Sequence, residues 1–463
     1  MKFSRVVFFL LALVPTLVHA QTPSGVPATR PRTVNPTNNV TPSAAQQQTV
    51  PRPSATTPTP APVSKKQPAP IVVPQQSGPT ITPAAQQPAA SMPANVTPTT
   101  APMPAPVIIL APLQPAHPLP AGKVRTDIEE AARALKSRVH PTAMNGALDF
   151  VTLAVLDPES SQLHLLTMPK QTFLTQGFET TLTSSLGTLL RVRIVRPNYV
   201  NTAVIVADMQ GRQLAPLLVE YPIEKFGRYT ETAYYTSAHP ALLSPELVKA
   251  GQAYVHTMID LAAKRLKDKG VTVTPFIQDV AERLCLVEHI DHDRFRRESR
   301  VPLFEEVYAL YALNQLDTYR YSVSTAGAGG MVQMIPWTYQ MIRQRHPAIG
   351  LNPDFVAGMR NHGNALEAML LYMQDTWNDI ALDPDLSAAL SAGLATQAEL
   401  MAAGYNSNPA HLAAYARRGG AEWRTLIPRE TQMYLQIYKT AEALLPFKSR
   451  AGKARAEQAT NMP

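Results

Sequence analysis

Apolar and polar positions change their spacing along this chain, and the changes divide it into predicted elements. Thr126 and Asp127, followed by acidic residues in the next turn, indicate a helix over 126–140. Runs rich in Val, Leu, Ile and Thr then alternate with Pro, Gly, Asn and Ser, which is typical of short strands. The predicted strands are 149–156, 162–167, 188–195 and 199–207. Residues 123–244 are therefore expected to form a small α+β domain of unknown role.

Beyond this region the apolar positions recur at helical spacing. A long amphipathic helix is predicted from about Pro245 to Lys267, and the chain after Pro275 is expected to be helices joined by polar loops. In the segment FIQDVAERLCLVEHI, 276–290, the apolar residues form one stripe, which predicts a helix with one buried side. We expect 245–450 to form a helical domain and 451–463 to be a flexible tail.

The first twenty residues have the features of a secretory signal peptide. Lys2 and Arg5 precede an apolar run from Val6 to Val14, and the small-residue pattern of a cleavage site ends at Ala20. The apolar run is too short to span a bilayer comfortably. We therefore predict a signal peptide over 1–20, a periplasmic location, and no membrane span after cleavage.

Residues 21–122 have the composition of a disordered linker. They hold 25 of the 44 prolines, mixed with Thr, Ala, Gln and Ser and almost no aromatic side chains. Such a segment cannot bury enough apolar surface to offset the entropy lost on ordering. It is expected to be a partly polyproline tether, either a spacer for a catalytic domain or a tail without a specific role.

The net charge of +8 does not indicate a polyanionic partner once it is divided by region. From residue 123 onward the chain has 35 basic and 34 acidic residues, because the excess lies in the signal and tether segments. A nearly neutral folded region argues against nucleic acid as a partner. Cys285 is the only cysteine, so an intramolecular disulfide is excluded, and its position predicts a small buried core residue.

Glu288 is the first candidate for chemistry, since it directly follows the apolar stripe of the predicted helix 276–290. A carboxyl at the inner end of a buried helix loses hydration, which raises its pKa and keeps it protonated near neutral pH. A general acid needs that state. Taken alone, however, the position also fits an ordinary solvated glutamate.

The stretch SVSTAGAGGMVQMIPWTY, 322–339, changes this balance. Its glycines permit tight turns beside a ligand, and Gln333 offers both a donor and an acceptor. The stretch closely resembles the sugar-cleft motif of the soluble lytic transglycosylase domain, which has a lysozyme-like fold. The residues that match this motif are Ser324, Ala326, Gly327, Ala328, Gly330, Gln333, Pro336 and Thr338.

Three further segments resemble the same family and follow in its order. Val287-Glu288 is similar to the end of the family's catalytic helix, and 403–409 (AGYNSNP) is similar to its Ala-Ala-Tyr-Asn-Ala-Gly-Pro element. Pro428-Arg429-Glu430-Thr431, with Tyr434, resembles the family's closing Pro-x-Glu-Thr-x-x-Tyr element. The resemblance covers roughly 275–445 and does not extend to 21–260.

The resemblance implies a mainly α lysozyme-like catalytic domain, preceded by the small α+β domain and the disordered Pro-rich tether. It implies cleavage of the β-1,4 bond between N-acetylmuramic acid and N-acetylglucosamine, with a 1,6-anhydro product and with Glu288 as general acid and then base. Peptidoglycan glycan strands would be the partner. The residues that the resemblance places at the substrate are Ser324, Met331, Gln333, Tyr405, Asn406 and Glu430.

The chain departs from the family's pattern in two places. His289 stands where the family usually has Ser, and about 39 residues separate Glu288 from Gly327 where the family usually has far fewer. The additional segment includes a predicted helix over 303–316, which we expect to fold over or beside the cleft. It could be a lid, a partner surface or a neutral insertion.

Two other functions are open at this point. Asp291 or Asp293 could act as a second carboxylate in a lysozyme-like peptidoglycan hydrolase. Alternatively, an inactive domain could serve as a wall-binding scaffold with protein partners in an envelope or secretion assembly. The acidic and histidine-rich segment 288–293 lacks His-Glu-x-x-His spacing, so we predict neither a metal site nor a cofactor.

Overall fold

The computed structural model describes residues 111–117, 119–138 and 147–453. The predicted signal peptide, most of the predicted tether and residues 454–463 lie outside the described residues. The end of the segment predicted to be a tether contacts the folded region. The Gln114 amide donates a hydrogen bond to the Gly211 carbonyl at 2.8 Å, and the Arg191 guanidinium donates one to the Ala111 carbonyl at 2.6 Å.

Seven antiparallel strands form one sheet in the described part of the chain. They are β1 (Phe150–Leu156), β2 (Leu163–Pro169), β3 (Glu179–Thr183), β4 (Leu189–Arg196), β5 (Ala203–Ala207), β6 (Gln213–Lys225) and β7 (Arg228–Tyr235). Their spatial order is β2-β1-β6-β5-β4-β3, with β7 also paired to β6. The Ser185 amide, just after β3, donates to the Leu165 carbonyl of β2 at 2.9 Å, so that the sheet is nearly closed.

Both faces of β1 are buried, because side chains on a strand alternate between the two faces. Leu153 belongs to the main core, whereas Ala154 packs in a second cluster with Ala131 and Leu135. Those two residues lie on helix α1 (Ala121–Lys136), which contacts β1 and β6. The sheet is therefore covered by α1 on one side and by the main core on the other.

Helices make up most of the chain after the sheet, and capping side chains start several of them. The Ser244 hydroxyl accepts from the Leu247 amide at 3.2 Å, and the Thr274 hydroxyl accepts from the Ile277 amide at 3.4 Å; a proline follows each cap. Including the short α2 within the sheet region, the helices after α1 are α2 (Lys170–Phe173), α3 (Pro245–Asp268), α4 (Pro275–Val287), α5 (His292–Arg297), α6 (Arg300–Leu313), α7 (Pro336–Arg345), α8 (Phe355–Arg360), α9 (His362–Leu382), α10 (Pro384–Ser391), α11 (Gln397–Asn406), α12 (Leu412–Gly419), α13 (Trp423–Leu426) and α14 (Arg429–Leu444).

Helix α4 lies at the centre of the helical region. It contacts α3, α6, α9, α11 and α14, and most of its residues are buried. Leu284 and Val287 of α4 belong to the same apolar cluster as Leu153 of the sheet. Cys285 is fully buried on this helix, which confirms the prediction that it is a core residue.

Ion pairs join the sheet to the helical region on two sides. Glu231 of β7 pairs with Arg320 at 3.1 Å and with Arg360 at 2.9 Å. Arg196 at the end of β4 pairs with Glu306 of α6 at 2.5 Å. These contacts fix the sheet against α6, α8 and the segment before residue 322, and a cleft remains between the sheet and the helices.

The predicted fold class is wrong. The described chain has a nearly closed antiparallel sheet followed by helices that share its core, where we expected a small α+β domain followed by a mainly α lysozyme-like domain. Strands β3, β6 and β7 were not predicted. Strand β6 contains Pro216 and Pro222, and proline argues against a central strand because it cannot donate a ladder hydrogen bond. The sheet tolerates Pro216 beside a shift of register between β1 and β6.

Candidate functional site

Glu288 directly follows helix α4 as its C-cap, and it lines the large cleft between the sheet and the helices. The residues before it are buried, whereas Glu288 itself is half-buried. The cleft has a volume of about 1550 Å³. This exceeds the roughly 300 to 1000 Å³ of pockets that hold drug-sized ligands, so the cleft is large enough for an oligomer.

The Glu288 carboxyl is held in a state that favours the proton. Burial raises its pKa to about 8, although the Tyr434 hydroxyl, which donates to Oε1 at 2.6 Å, acts in the opposite direction, and the negative charge of Glu430 raises the pKa further. The carboxyl is therefore largely protonated at neutral pH. The same hydrogen bond would stabilise the carboxylate once the proton has left.

Two tyrosines lie close to Glu288 and keep their protons. Tyr434 is buried on α14, and Tyr405 is half-buried on α11. Burial raises the pKa of both phenols well above the ordinary value, and the Glu288 charge raises them further. Both hydroxyls are thus hydrogen-bond donors throughout the physiological pH range.

The glycine-rich loop, defined here as residues 322–335, forms another part of the cleft wall. Gly327 and Gly330 have φ values of +79° and +72°, which side chains rarely adopt. A Cβ atom at Gly330 would lie 2.5 Å from the Met359 carbonyl oxygen. Gly327, Gly329 and Gly330 line the cleft. Glycine is therefore required for both the turn and the close packing on α8.

Two side chains next to Glu288 bind successive carbonyls of this loop. His289 Nε2 donates to the Met331 carbonyl at 2.9 Å, and the Tyr405 hydroxyl donates to the Val332 carbonyl at 2.6 Å. Burial lowers the pKa of His289 to about 3, so the ring is neutral and its proton lies on Nε2. The loop is thereby fixed relative to the end of α4.

The three predicted substrate residues on the loop either form hydrogen bonds within the loop or are buried. Ser324 is exposed, and its hydroxyl accepts from the Ala328 amide at 3.1 Å. The Met331 side chain is fully buried. Gln333 has a φ of +44°, and its amide donates to the Gly330 carbonyl at 2.9 Å. The described cleft lining contains the loop glycines but none of these three residues.

The other predicted substrate residues lie on α11 and α14, near Glu288 but outside the described lining of the cleft. Asn406 Oδ1 accepts from the Thr431 hydroxyl at 2.8 Å, which joins the two helices. Glu430 is exposed in the first turn of α14. The three segments that resemble the family, around Glu288, Tyr405 and Glu430, thus meet at one place together with the loop.

Of the two aspartates considered as a second carboxylate, one reaches the cleft. Asp291 lines it, although its carboxylate accepts from the Arg294 amide at 2.8 Å and starts α5. Asp293 pairs with Arg296 at 2.6 Å and is exposed. Among the described residues, no group of three or more His, Cys, Asp or Glu side chains is arranged to hold a metal ion.

The sheet region supplies one wall of the cleft, and no pattern in the sequence predicts it. Lys170, Arg196, Tyr199, Tyr221 and Glu231 all line it. Nothing in the pattern of 123–244 points to these residues, because they come from α2, from three strands and from the turn between β4 and β5, which only the fold brings together. Tyr434, the direct partner of Glu288, lies within the segment that resembles the family's closing element, but the sequence alone assigns it no role.

In the part of the chain that the structure describes, none of the helices combines the length and apolar character needed to cross a membrane. Comparison of the chain with models of protein families, with curated proteins and with solved structures finds no match.

Proposed function

We propose that this chain is a peptidoglycan lytic transglycosylase that cleaves the β-1,4 bond between N-acetylmuramic acid and N-acetylglucosamine. The supporting observation is that Glu288, with a pKa raised to about 8, lines a cleft of about 1550 Å³ together with Gly327, Gly329 and Gly330. The proposal rests on this geometry and on the four sequence segments, and it does not require a lysozyme-like fold.

In the first step Glu288 acts as the general acid. Its protonated carboxyl donates to the glycosidic oxygen as the bond to the leaving sugar breaks. The Tyr434 hydroxyl, at 2.6 Å from Oε1, stabilises the carboxylate that forms. The N-acetyl group of the substrate can stabilise the cationic centre, so a second catalytic carboxylate is not required.

In the second step the Glu288 carboxylate acts as the base. It takes the proton of the muramic acid 6-hydroxyl as this oxygen attacks the anomeric carbon, which closes the 1,6-anhydro ring without net addition of water. The carboxyl is then protonated again for the next cycle. A pKa near the operating pH suits a group that must first give and then accept a proton.

The glycine-rich loop would position the glycan, together with the two side chains that hold it, His289 and Tyr405. Glycines at the cleft wall let the backbone come close to a sugar ring. His289 and Tyr405 hold that backbone through the Met331 and Val332 carbonyls. In this proposal Tyr405 therefore acts on the loop, and Glu430 acts by raising the pKa of Glu288.

Digestion of purified peptidoglycan tests the proposal. The unaltered chain should release fragments with anhydro ends, one water lighter than hydrolysis products, as measured by mass spectrometry. Glu288→Gln should abolish release, whereas Asp293→Asn, which changes an exposed carboxylate outside the described cleft lining, should not. Full release by Glu288→Gln would remove Glu288 from the mechanism.

The same digestion separates the alternatives. Fragments with reducing ends, and loss of their release in Asp291→Asn, would indicate a hydrolase that uses the second carboxylate in the cleft. Absence of any product would favour a wall-binding scaffold with protein partners in an envelope assembly. Because peptidoglycan lies outside the cytoplasm, the proposal also requires export, and removal of the predicted signal peptide 1–20 should retain the chain inside the cell.

A further inference from the structure

The connection between β4 and β5 presents an exposed aromatic side chain at the cleft. Tyr199 is 70% exposed and lines the cleft. Its φ is +45°, which places a non-glycine residue in the left-handed region. Backbone of this kind is strained and persists only when its surroundings impose it.

Buried side chains hold this strained turn in place. The Thr202 hydroxyl, in a side chain 1% exposed, donates to the Tyr199 carbonyl at 2.7 Å and accepts from the Asn198 amide at 2.9 Å. The buried Ser237 hydroxyl donates to Asn201 Oδ1 at 2.8 Å. The turn is thus a built feature of the sheet.

The same turn is fixed relative to the helical wall. Arg196, at its start, pairs with Glu306 of α6 at 2.5 Å, and Glu306 also pairs with Arg294 at 2.8 Å. Both arginines and Glu306 line the cleft. The backbone of the turn that carries Tyr199 is therefore held by contacts from the sheet and from the helical wall.

We propose that Tyr199 is a stacking platform for a pyranose ring of the glycan, so that the sheet forms part of the substrate-binding site. The C–H groups on one face of a pyranose pack well on an exposed aromatic ring, and tyrosine offers a large rigid surface at low entropic cost. The cleft joins this ring to Glu288 and is large enough for several sugars. The choice of a glycan as ligand rests on the proposed function.

Phe226 provides a matched control, because it shares the exposed aromatic ring and the left-handed backbone of Tyr199 but does not line the cleft. It lies in the turn between β6 and β7, has a φ of +54° and is 93% exposed. It does not belong to the described lining of the cleft. Replacement by glycine at either position removes the ring and relieves the strained backbone, so both variants should fold.

The test measures binding by titration calorimetry, with Tyr199→Gly and Phe226→Gly each made in the Glu288→Gln chain. The probes are N-acetylglucosamine oligomers of increasing length. Tyr199→Gly should weaken binding of the longer oligomers between about twofold and tenfold, Phe226→Gly should leave it unchanged, and Tyr199→Phe should retain it. Equal binding by Tyr199→Gly, or an equal loss in Phe226→Gly, would overturn the proposal.

Cleavage assays on chains that retain Glu288 distinguish failure of the stacking proposal from failure of the proposed function. Loss of oligomer binding in Tyr199→Gly without any peptidoglycan cleavage by the unaltered chain would leave a glycan-binding site but no enzyme. Cleavage that depends on Glu288 and is unaffected by Tyr199→Gly would preserve the enzyme and refute the platform. Capture of a protein by this surface, without oligomer binding, would also refute it.

Discussion

The imidazole of His289 lies almost parallel to the phenol ring of Tyr319, with ring centroids 3.4 Å apart and an interplanar angle of 13°. The same imidazole donates to the Met331 carbonyl. The residue after Glu288 therefore contacts both the segment that precedes the glycine-rich loop and the loop itself. A serine at this position could not make the stacking contact.

Replacement of His289 by phenylalanine separates the two contacts. His289→Phe can keep the stacking on Tyr319 but leaves the Met331 carbonyl without its donor. An unmade hydrogen bond of this kind costs about 1 to 3 kcal/mol. We expect a loss of stability of this size in urea unfolding. Turnover should fall about tenfold or more, because the loop loses the hydrogen bond that holds it beside Glu288. His292→Phe, on α5, is the control. Unchanged turnover in His289→Phe would show that the hydrogen bond from His289 to the Met331 carbonyl does not contribute to catalysis.

Replacement of Tyr434 by phenylalanine tests the hydrogen bond to Glu288. Since the hydroxyl favours the carboxylate, its removal should raise the Glu288 pKa above about 8 and make proton donation harder. Hydrogen bonds to charged groups contribute about 1.5 to 3 kcal/mol, so kcat should fall roughly tenfold to a hundredfold. The falling limb of the pH–rate profile should move to higher pH. A lower kcat with an unmoved profile would indicate a purely structural role.

The sequence predicted the helix that precedes Glu288 better than it predicted the fold. The apolar stripe of α4 indicated a buried helix that ends at the carboxylate, and the helical spacing also located α3 and α6 to within a few residues. The separate family-like segments could be placed together only through resemblance. Their meeting around Glu288 depends on packing between α4, α11 and α14, which no local pattern encodes.

The parts that sequence analysis missed depend on long-range contacts. Strand β6 is interrupted by two prolines, and its thirteen residues are stabilised by pairing with β1, β5 and β7. Tyr199 looked like part of a strand, 199–207, whereas the strand begins at Ala203. Buried hydroxyls of Thr202 and Ser237 create the turn instead. A strand is predicted from apolar residues at every second position, and that pattern does not show the hydrogen bonds that other parts of the chain make to the segment.

Replacement of Gly330 by alanine tests whether the loop must pack closely on α8. Its φ of +72° and the 2.5 Å approach of a Cβ to the Met359 carbonyl both oppose a side chain. Gly187, with a φ of +78° and open space around it, isolates the backbone effect. Gly187→Ala should cost about 1 to 2 kcal/mol in urea unfolding. Gly330→Ala should cost at least that much more and should lower turnover. Equal costs would mean that α8 moves away easily.

The stability of Glu288→Gln relative to the unaltered chain should depend on pH in a direction fixed by the raised pKa. In the unfolded chain the carboxyl loses its proton near pH 4.5, whereas in the folded chain it keeps the proton up to about pH 8. Between these values the unfolded state has released a proton that the folded state retains, so stability falls as pH rises. The glutamine variant has no such loss. Its advantage should be near zero below pH 4.5, grow through neutral pH and level off above about pH 8.

For a half-buried carboxyl that water partly reaches, we expect this advantage to level off at about 1 to 3 kcal/mol. Thermal unfolding of both chains, repeated from below pH 4.5 to above about pH 8, measures this advantage. The neutral histidines His239 and His289 do not affect the difference in stability, because both chains contain them. Glu430→Gln, made in the otherwise unaltered chain, should lower the Glu288 pKa, because Glu430 raises it. The pH range over which the stability difference grows should then end at a lower pH. An advantage that shrinks as pH rises would mean that Glu288 is ionised at neutral pH, and a general acid at this position would then be untenable.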